Sequence, residues 1–291
     1  MYLYLTNKID KKEQPVIHEK VVYQDGKEYI SPVPMPDSIS FAGESAPLEL
    51  FYVGEHLERE LTVNTYWHSA TLLIVKRASR WLPVIEPILK QNNIPDDFKY
   101  LAMIESGLLN VVSPSGATGF WQFLDKTARE YGMEVNKEVD MRYDVVASTE
   151  TACRYLRKAY GKFGNWTLVA ASYNMGQNGM ENRLEDQRED RFYDMSRNDE
   201  TSRYIYRILA MKVIYENLEK YGFKIPESEL YRPLEFSKVE VRESLRDLSA
   251  FARQHNISYK LLKEFNPWLR SNKLTIRSGK SYQIAIPLMA K

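Results

Sequence analysis

The chain has 291 residues, enough for about two domains at roughly 100–200 residues each. Forty Lys and Arg against 39 Asp and Glu leave a formal charge of +1, so there is no surplus of positive charge to track phosphates and no nucleic-acid partner is expected. With 44% hydrophobic and 27% charged residues the composition is that of a folded globular chain. No apolar run approaches the ~18–20 residues of a transmembrane segment, and the lone Cys153 excludes a disulfide framework or a cysteine zinc cluster.

The first five residues are too short, and lack the basic flank, for a secretory signal. Either the protein works in the cytoplasm or the sequence is a mature or trimmed form. Residues 1–47 read as an extension without a clear core. Segments 16–23 and 28–33 are β-prone, with Asp25-Gly26 between them as a two-residue hairpin signal. Pro32, Pro34, Pro36 and Pro47 then keep the chain irregular, and it is expected to pack on the next domain.

From 48 to 222 the apolar period becomes helical. Helices are predicted over 65–81 and 83–91, with Pro83 in a first turn where its missing N–H costs nothing. A third covers 96–106 and stops at Gly107. A short one covers 119–124, and another runs over 125–131 to a stop at Gly132. Asp144 is a plausible N-cap for a long helix in which Val145, Thr149, Ala152, Leu156, Ala159 and Phe163 recur on one face. Asn165 is placed to cap 166–175, and 200–221 closes the domain with Tyr204, Ile208, Met211 and Tyr215 on a stripe. Pro226 and Pro233 mark a linker over 223–236. A strand at 238–242, helices at 244–254 and 258–265 and a strand at 281–286 then make a βααβ unit over 237–291. That unit is small for an independent core and is expected to lean on its neighbour. The fold class is mainly α, with an irregular or β extension ahead of the helical domain and a small βααβ domain behind it.

One carboxylate stands out. Phe98, Leu101, Ala102 and Glu105 fall at i, i+3, i+4 and i+7, which puts Glu105 on the apolar face of its helix. It also lies in the last turn, at the negative end of the helix dipole. Dipole and burial both penalise the charged form and raise the pKa, as a general acid near neutral pH requires. The competing explanation is a helix-end glutamate whose head reaches solvent. Glycoside hydrolysis usually takes two carboxyl groups, yet Glu105 is the only acid between Asp97 and Asp125. Asp140, Asp144 or Glu181 could supply a second, although Asp144 is better explained as a cap.

Three neighbouring features are equally two-sided. The small-residue run from Ser113 to Gly119 is either turn chemistry or a backbone that a ligand can approach. Gln122, among Phe120, Trp121 and Phe123, needs polar partners from backbone or ligand. Tyr173-Asn174 ends a run of small residues that itself favours tight packing. The chain's twenty Tyr belong mainly to cores and helix surfaces, though a Tyr ring also stacks on sugar C–H faces.

In order, Glu105-Ser106, Ser113-Pro-Ser-Gly-Ala-Thr-Gly119, Gly119-Phe-Trp-Gln122, Ala171-Ser-Tyr-Asn174 and Glu200-Thr-Ser-Arg-Tyr204 resemble the motifs of lysozyme-like lytic transglycosylases. The likeness covers about 48–222, and Tyr131-Gly132 and the 140–149 segment bring it nearest to the membrane-bound D branch. It implies a goose-type lysozyme-like fold and cleavage of the β-1,4 bond between N-acetylmuramic acid and N-acetylglucosamine in peptidoglycan. By the match, Glu105 is the single catalytic acid/base that closes a 1,6-anhydro ring, and Ser113 orients the reacting groups. Gln122, Tyr173, Asn174 and Tyr204 line the glycan cleft or hold the glutamate, while Glu200 and Thr201 brace the closing helix. Phe120-Trp121 stands where relatives often carry Leu-Met, and Ser172 where Ala is common.

Residues 237–291 resemble a LysM module, through Val239-Glu-Val241, Asn256-Ile-Ser258, Asn266-Pro267 and Ile284-Ala-Ile-Pro287 among others. Such modules bind chains containing N-acetylglucosamine. Here Arg242-Glu243 replaces the usual Gly-Asp turn, so a glycan-binding module and a docked structural one both stay open.

The resemblance implies peptidoglycan strands as partner, a monomer, and a periplasmic site. Attachment to the outer membrane through a lipid anchor on a removed leader is one option. No cofactor or metal is expected: the four His have no metal-ligand spacing, and phosphate-loop and nucleophile-elbow motifs are absent. A hydrolase of the same fold, cutting murein or chitin with water, and a non-catalytic glycan-binding envelope protein are the alternatives.

Overall fold

The computed structural model describes the backbone of residues 17–18, 21–24, 27–196 and 199–288, and the side chains of 31–196 and 203–288. Residues 1–5, the turn expected at Asp25-Gly26 and the side chains of Glu200 and Thr201 lie outside the described residues. Strands β1 (Ile17–His18), β2 (Val21–Gln24) and β3 (Lys27–Ile30) pair antiparallel in that order, and Gln24 faces Lys27. A two-strand pair, β4 (Ser40–Phe41) and β5 (Glu44–Ser45), comes next. Segment 31–47 is a strap on the helical domain. Val33, Ile39, Phe41 and Ala46 are buried in its core, and the Phe41 ring meets Phe98 edge-on at 5.0 Å. The Tyr221 hydroxyl donates to the Pro34 carbonyl and Lys212 Nζ to the Ser40 carbonyl.

The helical domain opens with α1 (Phe51–Tyr66), broken at Trp67 from α2 (His68–Gln91). The two helices expected over 65–81 and 83–91 are thus one, with Pro83 and Pro87 inside it. Each proline removes a donor and costs roughly 3 kcal/mol. Val75, Ala78, Leu82, Ile85, Ile88 and Leu89 are nevertheless buried along a stripe that runs through both, and at about 1.5–3 kcal/mol per large apolar side chain this burial outweighs the break. Next come α3 (Phe98–Ser106) and α4 (Asp125–Glu130). Helices α5 (Val145–Phe163) and α6 (Trp166–Met175) start where local chemistry dictates: the Asp144 side chain accepts from Ala147 N–H and that of Asn165 from Leu168 N–H. Helix α7 (Gln177–Gln187) buries only Met180, so no apolar stripe announces it. The closing helix α8 (Asp199–Glu216) stops short of 221, and Glu219–Tyr221 form a separate 3-10 turn before Gly222. Helix α8 packs on α1, α3 and α6, and α5 packs on α2 and α6, which holds α3 between α2 and α8.

The C-terminal unit is β6 (Phe236–Val241), α9 (Leu248–Gln254), α10 (Tyr259–Phe265) and β7 (Tyr282–Pro287), with β6 and β7 antiparallel. The buried Asn266 side chain bonds the Leu262 carbonyl and both backbone groups of Ala285, tying α10 to β7. The unit does lean on its neighbour. Val139 of the helical domain is part of its apolar core and pairs with Leu269. Asp140 N–H donates to the Trp268 carbonyl (2.9 Å) and Arg270 N–H to the Glu138 carbonyl (2.8 Å). The Arg270 guanidinium lies 4.0 Å from the Tyr143 ring centre.

Candidate active site

Helix α3 is only nine residues long and has no side-chain cap, so packing must hold it. Phe98, Tyr100, Leu101, Ala102 and Met103 are all buried, and Gly107 ends the helix at φ +61°. Phe98, Leu101 and Ala102 share a face with Glu105, and their burial carries it inward. Glu105 is partly buried, and its Oε1 accepts the hydroxyl of Tyr204 from α8. Burial pushes its carboxyl above the ordinary range, and the Tyr204 hydrogen bond and the Arg207 guanidinium draw it only part of the way back. Arg207 is itself fixed, donating from Nη2 to the Ile104 carbonyl at 3.0 Å. The site therefore favours a protonated carboxyl while keeping a donor and a cation for its anion. That combination suits a proton that must leave and return.

Tyr173, on α6, donates its hydroxyl to the Trp121 carbonyl at 2.6 Å. Burial, with the charge of Glu105, raises the Tyr173 and Tyr204 hydroxyls well above their usual range, so both stay neutral donors. Asn174 is the exposed residue after Tyr173, just ahead of Gly176 at φ +82°.

The segment from Val111 to Phe123 is a folded loop rather than the helix expected over 119–124. Bridges join Val112 to Thr118 and Thr118 to Phe123. Gly119 at φ +79° and Gln122 at φ +48° take left-handed conformations that a helix cannot hold. A Cβ on Gly119 would overlap the Arg142 carbonyl, so glycine is needed there for space as well as conformation. The Gln122 amide donates to the carbonyls of Gly119 (2.7 Å) and Val111 (3.2 Å). Ser113 serves its own loop: its Oγ accepts from Ala117 N–H at 3.0 Å and lies 2.9 Å from Ser115 Oγ. The contacts thus join Glu105 to Tyr204, and Tyr173 through Trp121 to the loop of Gln122 and Ser113.

The other acids weighed from sequence are engaged elsewhere. Asp140 holds Arg142 at 2.7 Å, Asp144 caps α5, and Glu181 pairs with Lys162 at 2.6 Å. Two participants were not singled out from sequence. Arg142 donates to the Phe123 and Gly116 carbonyls and so fixes the loop. Arg207 stands three residues after Tyr204 on α8, a spacing that places both on one face. Among the described residues no group of three or more His, Cys, Asp or Glu is placed to hold a metal, and no helix is long and apolar enough to cross a membrane.

Residues 83–195 match the family described as Transglycosylase SLT domain, and residues 237–290 match Soluble lytic transglycosylase C-terminal LysM-like domain. The first span contains Glu105, Ser113, Gln122, Tyr173 and Asn174; Tyr204 lies beyond it. The chain is 29% identical over 237 residues to membrane-bound lytic murein transglycosylase D of Escherichia coli (strain K12), covering 79% of this chain and 50% of that protein. The figures are the same for its counterpart in Escherichia coli O6:H1. The chain therefore spans about half the length of these curated relatives. Among solved structures, it is similar to the 70 kDa soluble lytic transglycosylase of Escherichia coli, with 17% identity, a TM-score of 0.43, and coverage of 61% of this chain and 33% of that one. An inactive mutant of lytic transglycosylase Slt from Pseudomonas aeruginosa matches with 20% identity, a TM-score of 0.37, and coverage of 52% and 26%.

Proposed function

We propose that this chain, which carries a transglycosylase SLT domain and a LysM-like C-terminal domain, is a peptidoglycan lytic transglycosylase that works with Glu105 as its single acid/base. The observation that carries the reading is the setting of Glu105: it is partly buried, its Oε1 accepts the Tyr204 hydroxyl, and among the described residues the groups acting on it are that hydroxyl and the Arg207 guanidinium, with no second carboxylate. A hydrolase that activates water usually requires such a partner.

In the proposed reaction the Glu105 proton passes to the glycosidic oxygen as its bond to C1 of N-acetylmuramic acid breaks. The C6 hydroxyl of that sugar attacks C1, and its proton returns to Glu105. A 1,6-anhydro end forms, no water is consumed, and the carboxyl ends as it began. While it is an anion, the Tyr204 hydroxyl and Arg207 stabilise it. Ser113, Gln122, Tyr173 and Asn174 are assigned to holding the glycan and the loop around it. Peptidoglycan as substrate puts the work in the bacterial periplasm, with outer-membrane attachment as part of the same proposal.

Digestion of purified peptidoglycan followed by mass analysis tests the reading: every new end should be one water lighter than a reducing end. Reducing ends alone would mean a hydrolase. Glu105→Gln should keep its fold, because the amide oxygen still accepts from Tyr204, and should lose about 10²–10⁴-fold in kcat. Near-wild-type turnover would reject Glu105 as the acid.

A further inference from the structure

Between the helical domain and the C-terminal unit lies a cavity of about 820 Å³, within the roughly 300–1,000 Å³ typical of ligand sites, which favour domain interfaces. Helix α2 forms one wall, the start of α5 a second, and the outward face of the β6–β7 pair a third. None of the six candidate site residues lines it. Residues 108–110 do, and they connect the helix of Glu105 to the loop of Ser113.

The charges in this cavity are unbalanced. Arg77, Arg80 and Lys238 line it, and no described ion pair engages any of them. The two arginines are held by carbonyls and an aromatic ring instead: Arg77 donates from Nε to Gly107, Arg80 donates from Nε to Arg232 at 2.9 Å, and the Arg80 guanidinium lies 5.1 Å from the Tyr231 ring centre. Burial pushes the Arg77 guanidinium below its usual range, as happens to a cation withdrawn from water without a counter-ion. The acids present offset them only in part, because Asp144 acts on Lys238 and no carboxylate pairs with either arginine among the described residues. Asp144 is committed to the cap of α5, where burial favours its neutral form, and Glu264 is exposed to solvent at the rim. Beside the cations stand apolar surfaces, including Phe236, which is 43% exposed, and Trp81. A carboxylate on a short, partly apolar chain complements this wall on both counts.

We propose that the cavity binds the peptide stem of a peptidoglycan strand whose glycan lies at Glu105. The inference rests on the function proposed above, since a substrate whose muramic acid carries a peptide brings carboxylates and small apolar side chains to residues 108–110. Arg80 and Lys238 take the carboxylate, and Trp81 and Phe236 take the apolar groups. The site selects peptide-bearing strands over strands stripped of peptide.

The test uses the full chain. Calorimetric titration of Glu105→Gln with a muramyl tetrapeptide should show binding that weakens at least about tenfold when Arg80→Ala and Lys238→Ala are added. N-acetylmuramic acid without peptide should show no such dependence. In cleavage assays the ratio of kcat/KM for peptide-bearing to peptide-free strands should fall to the same extent in the double variant. Equal tetrapeptide binding with and without the two substitutions, or an unchanged ratio while cleavage proceeds, overturns the proposal and leaves the transglycosylase reading standing. Equal capture of free muramic acid assigns the carboxylate to the sugar and overturns the peptide. Binding that depends on Arg80 and Lys238 in a chain that cleaves neither strand would leave the cavity site standing and remove the catalytic reading instead.

Discussion

Glu105 shows how opposed forces set one side chain's chemistry. Desolvation raises its pKa, while Tyr204 and Arg207 oppose the rise without cancelling it. Removing the hydroxyl should therefore move the balance in a known direction. In Tyr204→Phe the carboxylate loses a donor and the protonated form persists to higher pH. Because the proposed reaction starts from that form, the alkaline limb of the kcat/KM profile should shift upward in pH, together with a loss of turnover as the anion formed in that reaction loses support. An alkaline limb that stays in place would mean that a group other than Glu105 sets it.

Among the elements, α6 depends on a residue far from it in sequence. The Glu44 carboxylate, on the strap, accepts from the N–H groups of Trp166 (2.6 Å) and Thr167 (2.8 Å) and from the Thr167 hydroxyl (2.7 Å). A negative group at the first turn satisfies orphan donors and complements the helix dipole. Asn165 caps the same end through Leu168 N–H. Glu44→Ala should cost about 1–3 kcal/mol by chemical denaturation. A loss below about 0.5 kcal/mol would mean that water replaces the contact. Since α6 carries Tyr173 and Asn174, the strap is part of what positions the candidate site.

For the whole molecule, the decisive contact is the seam along 134–143. Glu134 receives Lys280 at 2.8 Å and the Tyr282 hydroxyl at 3.0 Å, and Glu138 receives Thr275 N–H at 2.7 Å. On its other side the same segment holds the Ser113 loop through Arg142. The C-terminal unit completes its core with Val139, as a domain of its size needs. Calorimetry should accordingly show the unit melting together with the helical domain. Val139→Ala should cost about 2 kcal/mol and pull the two transitions apart. Two separate transitions in the unaltered chain would show that the docking is weak.

Features that depend on neighbours along the chain are legible before the fold is known. Gly107, Gly132, Asp144 and Asn165 mark helix ends because stops and caps are made within a few residues. The i, i+3, i+4, i+7 spacing places Glu105 on a buried face for the same reason. Tertiary structure decided what depends on distant partners. Helix α2 runs through two prolines because its stripe is buried against other helices, and segment 119–123 is a turn because the Arg142 backbone lies against Gly119. The hydroxyl on Glu105 comes from 99 residues away; family likeness pointed to Tyr204, but no local pattern could. Periodicity reports which face of a helix is apolar, whereas the charge, donor or carbonyl that meets that face is fixed only when the chain closes on itself.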